Sequence, residues 1–167
     1  MNEQLLLATL QGIQFLRGVS REHLEQIAAI SQLRDYEDQE FVFHEGDAAD
    51  SIYLVVFGKL SIELYASTQD CKQIVTVGPG EMLGWSSLLE RPQLAATARA
   101  VETTRLVRID SAKLLKICDE DPALGFQFMR RTTLALAKRL NATWGQLSHL
   151  HVPHYLSVAD SARESDE

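Results

Sequence analysis

The sequence predicts a mainly β domain with flanking helices: an antiparallel β-roll or jelly roll of about eight short strands, preceded by N-terminal helices and closed by a long C-terminal helix. Three observations predict it. Apolar residues near both ends of the chain recur at helical spacing, whereas from Leu33 onward the period drops to two. Glycine, proline and small polar residues punctuate the middle of the chain at short intervals, as turns between strands do. Asp121-Pro122 then opens a final helix, with a capping residue first and proline at the first helical position.

The elements follow in order. Residues 4–31 read as helix broken near Gly18, with Leu24, Ile27, Ala28 and Ile30 on one face. Ser20 before Arg21-Glu22-His23 supplies an N-cap for the second segment. Phe41 and Phe43 alternate with polar residues, as do Leu60, Ile62 and Leu64, while residues 52–57 form an almost wholly apolar run suited to a buried strand. Gly46-Asp47, Gly58, residues 67–72 and Gly78-Pro79-Gly80 mark the turns. Further strands are expected at 73–77, 96–100 and 105–109. Asp110 caps a brief helix over 111–117, and the last helix runs to about His151, where Pro153 stops it. One domain is expected over residues 1–155, with an acidic, disordered tail at 156–167. There is no internal repeat.

Composition narrows the function. The 167 residues suffice for one domain, and 46% of them are hydrophobic, enough for a sizeable core. A net charge of −7 with no Lys/Arg run argues against nucleic acid as a partner. An anionic ligand would therefore be held by local donors and not drawn in by the overall field. Cys71 and Cys118 are the only cysteines, too few for a metal site or a secreted disulfide scaffold, and read as reduced cytosolic thiols. The N-terminus has neither a basic n-region nor a long apolar run, so no signal peptide and no membrane association is expected, and the location is cytoplasmic.

The stretch 43–58, with Glu45-Gly46-Asp47, a strand and Gly58, and the stretch 78–84, Gly-Pro-Gly-Glu-Met-Leu-Gly, resemble the cyclic-nucleotide-binding domain family of the catabolite activator and the protein kinase A regulatory subunit. The resemblance covers about residues 12–150. It implies a β-roll whose phosphate-binding cassette, a strand giving way to a short helix, holds a cyclic nucleotide or another small anionic ligand on backbone amides. It also implies a non-catalytic sensor or regulatory role in signal transduction.

The gapless match from Gly84 to Ala98 places Trp85 where the family carries a ribose-binding Glu, and Leu94 where it carries a phosphate-binding Arg. Losing a charged hydrogen bond from a buried site costs about 2–5 kcal/mol, so ordinary cyclic AMP contacts are not expected. The resemblance makes Gly84, Trp85, Ser86, Ser87, Arg91, Leu94 and Ala95 the candidate ligand residues of the cassette, with Arg91 the nearest cation and the two serines extra hydroxyl donors. On the last helix, Thr143 falls at the family's purine-contacting position and Trp144 follows it. Trp85 and Trp144 either stack on a flat ligand or fill the space a ligand would take.

Met129, Thr133, Leu136, Leu140, Thr143, Leu147 and Leu150 follow steps of four and three, a seam suited to a homodimer through the C-terminal helix or to packing on the roll. His149, His151 and His154 are spaced i, i+2, i+5 and do not share one helix face, so no metal is expected. His44-Glu45 lacks the second nearby histidine of a cupin metal site, and no nucleophile stands beside a base; the domain is not expected to be an enzyme. The alternative to a sensor is a ligand-free, degenerate domain serving as a protein–protein interaction or dimerisation module. DNA-reading regulators of the family it resembles carry a helix-turn-helix after the long helix; residues 152–167 are too short for one, so a DNA-reading role is not expected unless the sequence is part of a longer regulator.

Overall fold

The computed structural model describes residues 3–67, 70–89 and 91–148, with side chains apart from those of residues 3, 66, 67, 70, 71 and 145–148. The expected tail at 156–167, the histidines His149, His151 and His154, and Leu150 lie outside the described residues, as do the side chains of Cys71 and Leu147. The N-terminal apolar periodicity forms α1 (Glu3–Gly12) and α2 (Arg21–Ala29), with a 3-10 turn at Gln14–Leu16 between them. Ser20 caps α2 as its position predicts, its hydroxyl accepting from His23 N at 3.2 Å.

Eight strands follow: β1 (Ser31–Tyr36), β2 (Phe41–Phe43), β3 (Ser51–Phe57), β4 (Leu60–Ser67), β5 (Asp70–Val77), β6 (Met82–Leu83), β7 (Thr97–Ala100) and β8 (Thr104–Asp110). They pair antiparallel in two sheets ordered β1-β8-β3-β6 and β2-β7-β4-β5. The last elements among the described residues are α3 (Ser111–Glu120) and α4 (Pro122–Ser148). The fold is the β-roll that the sequence predicts. Its least legible pieces are the two-residue β6 and the 3-10 helix Trp85–Leu89, both too short to carry a period.

The apolar run of β3 is explained by what covers it. Ile52 and Leu54 face the helices, in a core shared with Leu10, Leu16, Ile27, Val107, Ile109, Leu114 and Phe128. Tyr53 and Val55 point into the roll, beside Leu60, Val77, Leu83, Ala98, Ala100 and Leu106. A strand buried on both faces has no need to alternate. Gly58 turns β3 into β4 at φ +86°, where a Cβ would meet Thr103 O at 2.6 Å. Only glycine combines that conformation with that approach.

The start of α4 is fixed just as locally. Asp121 Oδ1 accepts from Ala123 N and Leu124 N, each at 3.1 Å, and Oδ2 lies 2.8 Å from His23 Nε2 on α2. Leu124, Phe128 and Thr132 bury one stripe of α4 on the core, and Arg131 donates to Phe15 O at 2.9 Å. The helix is thus anchored along its N-terminal half, and its C-terminal half passes over the mouth of the roll.

Candidate functional site: a cavity between the roll and the last helix

The second glycine turn, after β6, opens the site. Gly84 has φ +79°, and a Cβ there would come within 2.6 Å of Ser51 O, so no other residue turns the chain so tightly against β3. The 3-10 helix follows at once. Ser86 and Ser87 are buried within it, and Ser87 Oγ donates back to Gly84 O at 3.1 Å. Trp85 is half-buried and packs against the helix-side core.

The segment after this helix is held by the Glu45-Gly46-Asp47 turn. Leu94 N donates to Asp47 O and Gly46 N to Leu94 O, both at 2.9 Å, and Ala49 N donates to Pro92 O at 3.0 Å. Thr97 Oγ1 accepts from Glu45 N at 3.0 Å. The motif that carries the family resemblance is therefore a backbone clamp: it presses Leu94, buried, against the roll.

Between these pieces lies a cavity of about 240 Å³. Leu83, Gly84, Trp85 and Ser86 form one wall, Leu94, Ala95 and Ala96 another. Phe43, Ile62, Leu64, Ile74 and Val75 of the second sheet line its floor, and Arg139 and Thr143 border it on the α4 side. Of the residues proposed from sequence, the fold brings Gly84, Trp85, Ser86, Leu94, Ala95 and Thr143 together around one space. Ser87 is buried just behind the wall, its hydroxyl occupied by Gly84 O.

Two candidates lie elsewhere. Arg91 is exposed and does not line the cavity; its backbone amide donates to Ser86 O at 3.3 Å. Trp144 is 61% exposed and stands on the outer face of α4, one residue past the turn that meets the cavity. A helix advances about 100° per residue, which is enough to carry Trp144 away from the direction of Thr143.

Sequence reasoning missed Arg139. Its guanidinium donates to Met82 O at 2.7 Å, the one side-chain hydrogen bond it makes among the described residues. Burial pulls its pKa below the usual arginine value, and the nearby Glu81 carboxylate works in the opposite direction. Glu81 is itself engaged, accepting from Gly78 N at 2.8 Å and pairing with Lys138 at 3.8 Å. Arg139 also borders a surface groove beside Gln14 and Gly80, so it stands at the cavity's edge on the α4 side. The available signal was its position, one helical turn before Thr143 on the same face.

The outer face of α4 is apolar. Phe126 is 70% exposed and Leu140 50%, and with Trp144 they follow the steps that also carry half-buried Met129 and Leu136. Among the described residues, no helix is long and apolar enough to cross a membrane, and no group of three or more His, Cys, Asp or Glu side chains is placed to hold a metal.

A two-sheet roll with a cavity beside its last helix is an architecture shared with non-catalytic regulatory domains. The chain belongs to the cyclic nucleotide-binding domain family, whose profile matches residues 33–121. It is 30% identical over 101 residues to the cyclic AMP receptor protein of Thermus thermophilus, covering 60% of this chain and 46% of that one. The crystal structure of the Thermus thermophilus catabolite activator protein superposes with a TM-score of 0.65 at 26% identity, over 82% of this chain and 62% of that one. A cyclic nucleotide-binding domain from Methylobacillus flagellatus shares the fold at 18% identity, with a TM-score of 0.74 over 92% of this chain and 86% of that one. The chain spans 24%, 46% and 58% of the length of three curated relatives that it matches.

Proposed function

We propose that this domain is a cytoplasmic sensor that takes a small anionic ligand into the cavity under α4 and reports its presence through that helix. The observation that carries the reading is Arg139, a half-buried cation on the wall of an otherwise apolar cavity, with a carbonyl as its only described hydrogen-bond partner. Burial disfavours the charge on Arg139, and the nearby Glu81, itself paired with Lys138, offsets it only in part; an anion in the cavity would stabilise it further. Thr143 lies one turn further along the same face, its hydroxyl donating to Arg139 O at 3.0 Å. Ligand contact at Arg139 and Thr143 would thus bear directly on where α4 sits.

Leu94 and Trp85 supply neither a cation for a cyclic phosphate nor a carboxylate for a ribose hydroxyl. Cyclic AMP is therefore expected to bind weakly, if at all, and the double variant Leu94→Arg, Trp85→Glu to bind it more tightly than the parent. Calorimetry checks both; micromolar or tighter binding of cyclic AMP by the parent contradicts the first. The same two side chains favour the second reading, a ligand-free domain that acts only as an interaction module. The cavity that remains beside them supports the sensor.

The exposed stripe of α4 supports a homodimer through this helix, with Met129, Leu136, Leu140 and Thr143 on or beside the seam, now joined by Phe126 and Trp144. Exposed apolar stripes of this kind mark interaction sites, and each large side chain buried contributes about 1.5–3 kcal/mol. Leu140→Lys with Trp144→Lys should convert a dimer to monomer in sedimentation velocity. A parent that sediments as a monomer at micromolar concentration, or an unchanged double variant, removes this part of the proposal.

A further inference from the structure

The lining of the cavity says more about the ligand than that it is an anion. Its floor and walls are the side chains of Ile62, Leu64, Ile74, Leu83, Trp85 and Leu94, and the charge is confined to one end, at Arg139 on α4. Neighbouring cations do not add to it. Arg91 is exposed outside the lining, and Lys138, also exposed, pairs with Glu81 outside the cavity. The polar hydroxyls on the wall are Ser86 and Thr143, and that of Thr143 is already given to Arg139 O.

This distribution is unsuited to a ligand whose polar groups are spread over its surface. A sugar hydroxyl or ring nitrogen laid against Leu94, Ile62 or Leu64 would lose its water and gain no hydrogen bond. A dianion would leave one charge unmatched, since a single guanidinium faces the space. What the lining complements is a molecule with one negative end and an apolar body. The guanidinium has five N–H donors in a planar fork, of which Met82 O occupies one, so a carboxylate can be met by two at once.

Resting on the sensor reading above, we infer that the ligand is an amphiphilic monocarboxylate, an aromatic or medium-chain aliphatic acid, with its carboxylate on Arg139 and its apolar body between Leu94, Trp85 and the floor of the second sheet. The body is selected by burial of apolar surface and the head by charge, so the two parts can be tested separately.

The test uses the purified full chain and calorimetric titration with octanoate, phenylacetate, their uncharged counterparts octanol and 2-phenylethanol, cyclic AMP and inorganic phosphate. The expected result is that at least one acid binds about thirtyfold or more tightly than its alcohol, the effect of one buried charged pair, and more tightly than cyclic AMP or phosphate. Arg139→Gln should abolish the preference for acid over alcohol while leaving the alcohol's affinity within about threefold, the spread expected where no contact is lost. The comparison of acid with alcohol on the parent stands even if the variant does not fold. Tighter binding of cyclic AMP or phosphate than of either acid overturns this inference and leaves the sensor reading intact. Equal affinity for acid and alcohol also overturns it. Binding of none of the six probes overturns both the inference and the sensor reading.

Discussion

Two arginines on the two sides of the second sheet show how the same side chain becomes scaffold in one place and candidate site in another. Arg99, on β7, faces outward and meets Glu63 of β4, which is only 1% exposed. Its Nη2 lies 2.6 Å from Glu63 Oε1 and its Nε donates to the same oxygen at 3.1 Å, while Nη1 donates to Gln39 Oε1. Ser61 and Tyr65 donate to the same carboxylate at 2.5 and 2.6 Å. This cluster answers its own charges. Arg139, beyond the inner face of the sheet, has among the described residues one carbonyl as hydrogen-bond partner, the nearby Glu81 carboxylate, and an apolar cavity. The difference lies in geometry: β4 and β7 are paired, Ser61 opposite Arg99, so a carboxylate two residues along β4 falls within reach of Arg99. No strand residue of the cavity offers Arg139 the same.

Four substitutions sharpen or break that comparison. The largest effect is expected at Arg99→Met, which removes the guanidinium from a buried carboxylate and should cost about 3–5 kcal/mol in urea unfolding. A loss below about 1 kcal/mol, the range of exposed pairs, would make the outer cluster ornamental. Next comes Gly84→Ala at the turn that opens the cavity. Positive φ and the contact with Ser51 O should together cost about 1–3 kcal/mol. Thermal unfolding read against the parent checks it.

Asp110→Ala removes the cap of α3, whose carboxylate accepts from Lys113 N at 3.0 Å, and should cost about 0.5–2 kcal/mol at neutral pH. The Lys113 amide holds the Asp110 carboxyl below the usual aspartate range. Its contribution is therefore present above the ordinary aspartate value, near 3.9, and is lost as the pH falls through the lower folded value. The gap between variant and parent should narrow in unfolding curves taken from pH 5 down to pH 3. The smallest effect belongs to Arg139→Met, expected within about 1 kcal/mol of the parent or above it, because a partly buried charge that Glu81 offsets only in part gives way to an apolar side chain beside an apolar space. A loss as large as that of Arg99→Met would place both arginines in the scaffold and end the contrast.

Much of the fold was legible because it rests on local rules. The caps at Ser20, Asp110 and Asp121 announce three helices, Gly58 a forced turn, and the doubly apolar run of β3 a strand covered on both faces. The Glu45-Gly46-Asp47 turn was legible as a motif, and its physical work, clamping Leu94 onto the roll, appears once the partners are seen. Most of the cassette's cavity residues were legible by alignment, since Gly84, Trp85, Ser86, Leu94 and Ala95 are near neighbours in sequence.

What spacing alone left open was direction. Thr143 and Trp144 are adjacent in sequence, yet one faces the cavity and the other the outside, because α4 is rotated by the burial of Leu124, Phe128 and Thr132 far upstream. The same rotation brings Arg139 to the cavity wall and turns Phe126 and Leu140 outward. The sequence by itself determined that there is a β-roll and where its glycine turns fall, and it set Trp85 and Leu94 within the stretch that resembles the family's cassette. The tertiary structure decided which side chains of α4 line the cavity, Arg139 and Thr143 among them. A helix phase is set by packing over its whole length, and no short stretch of sequence around Arg139 contains that information.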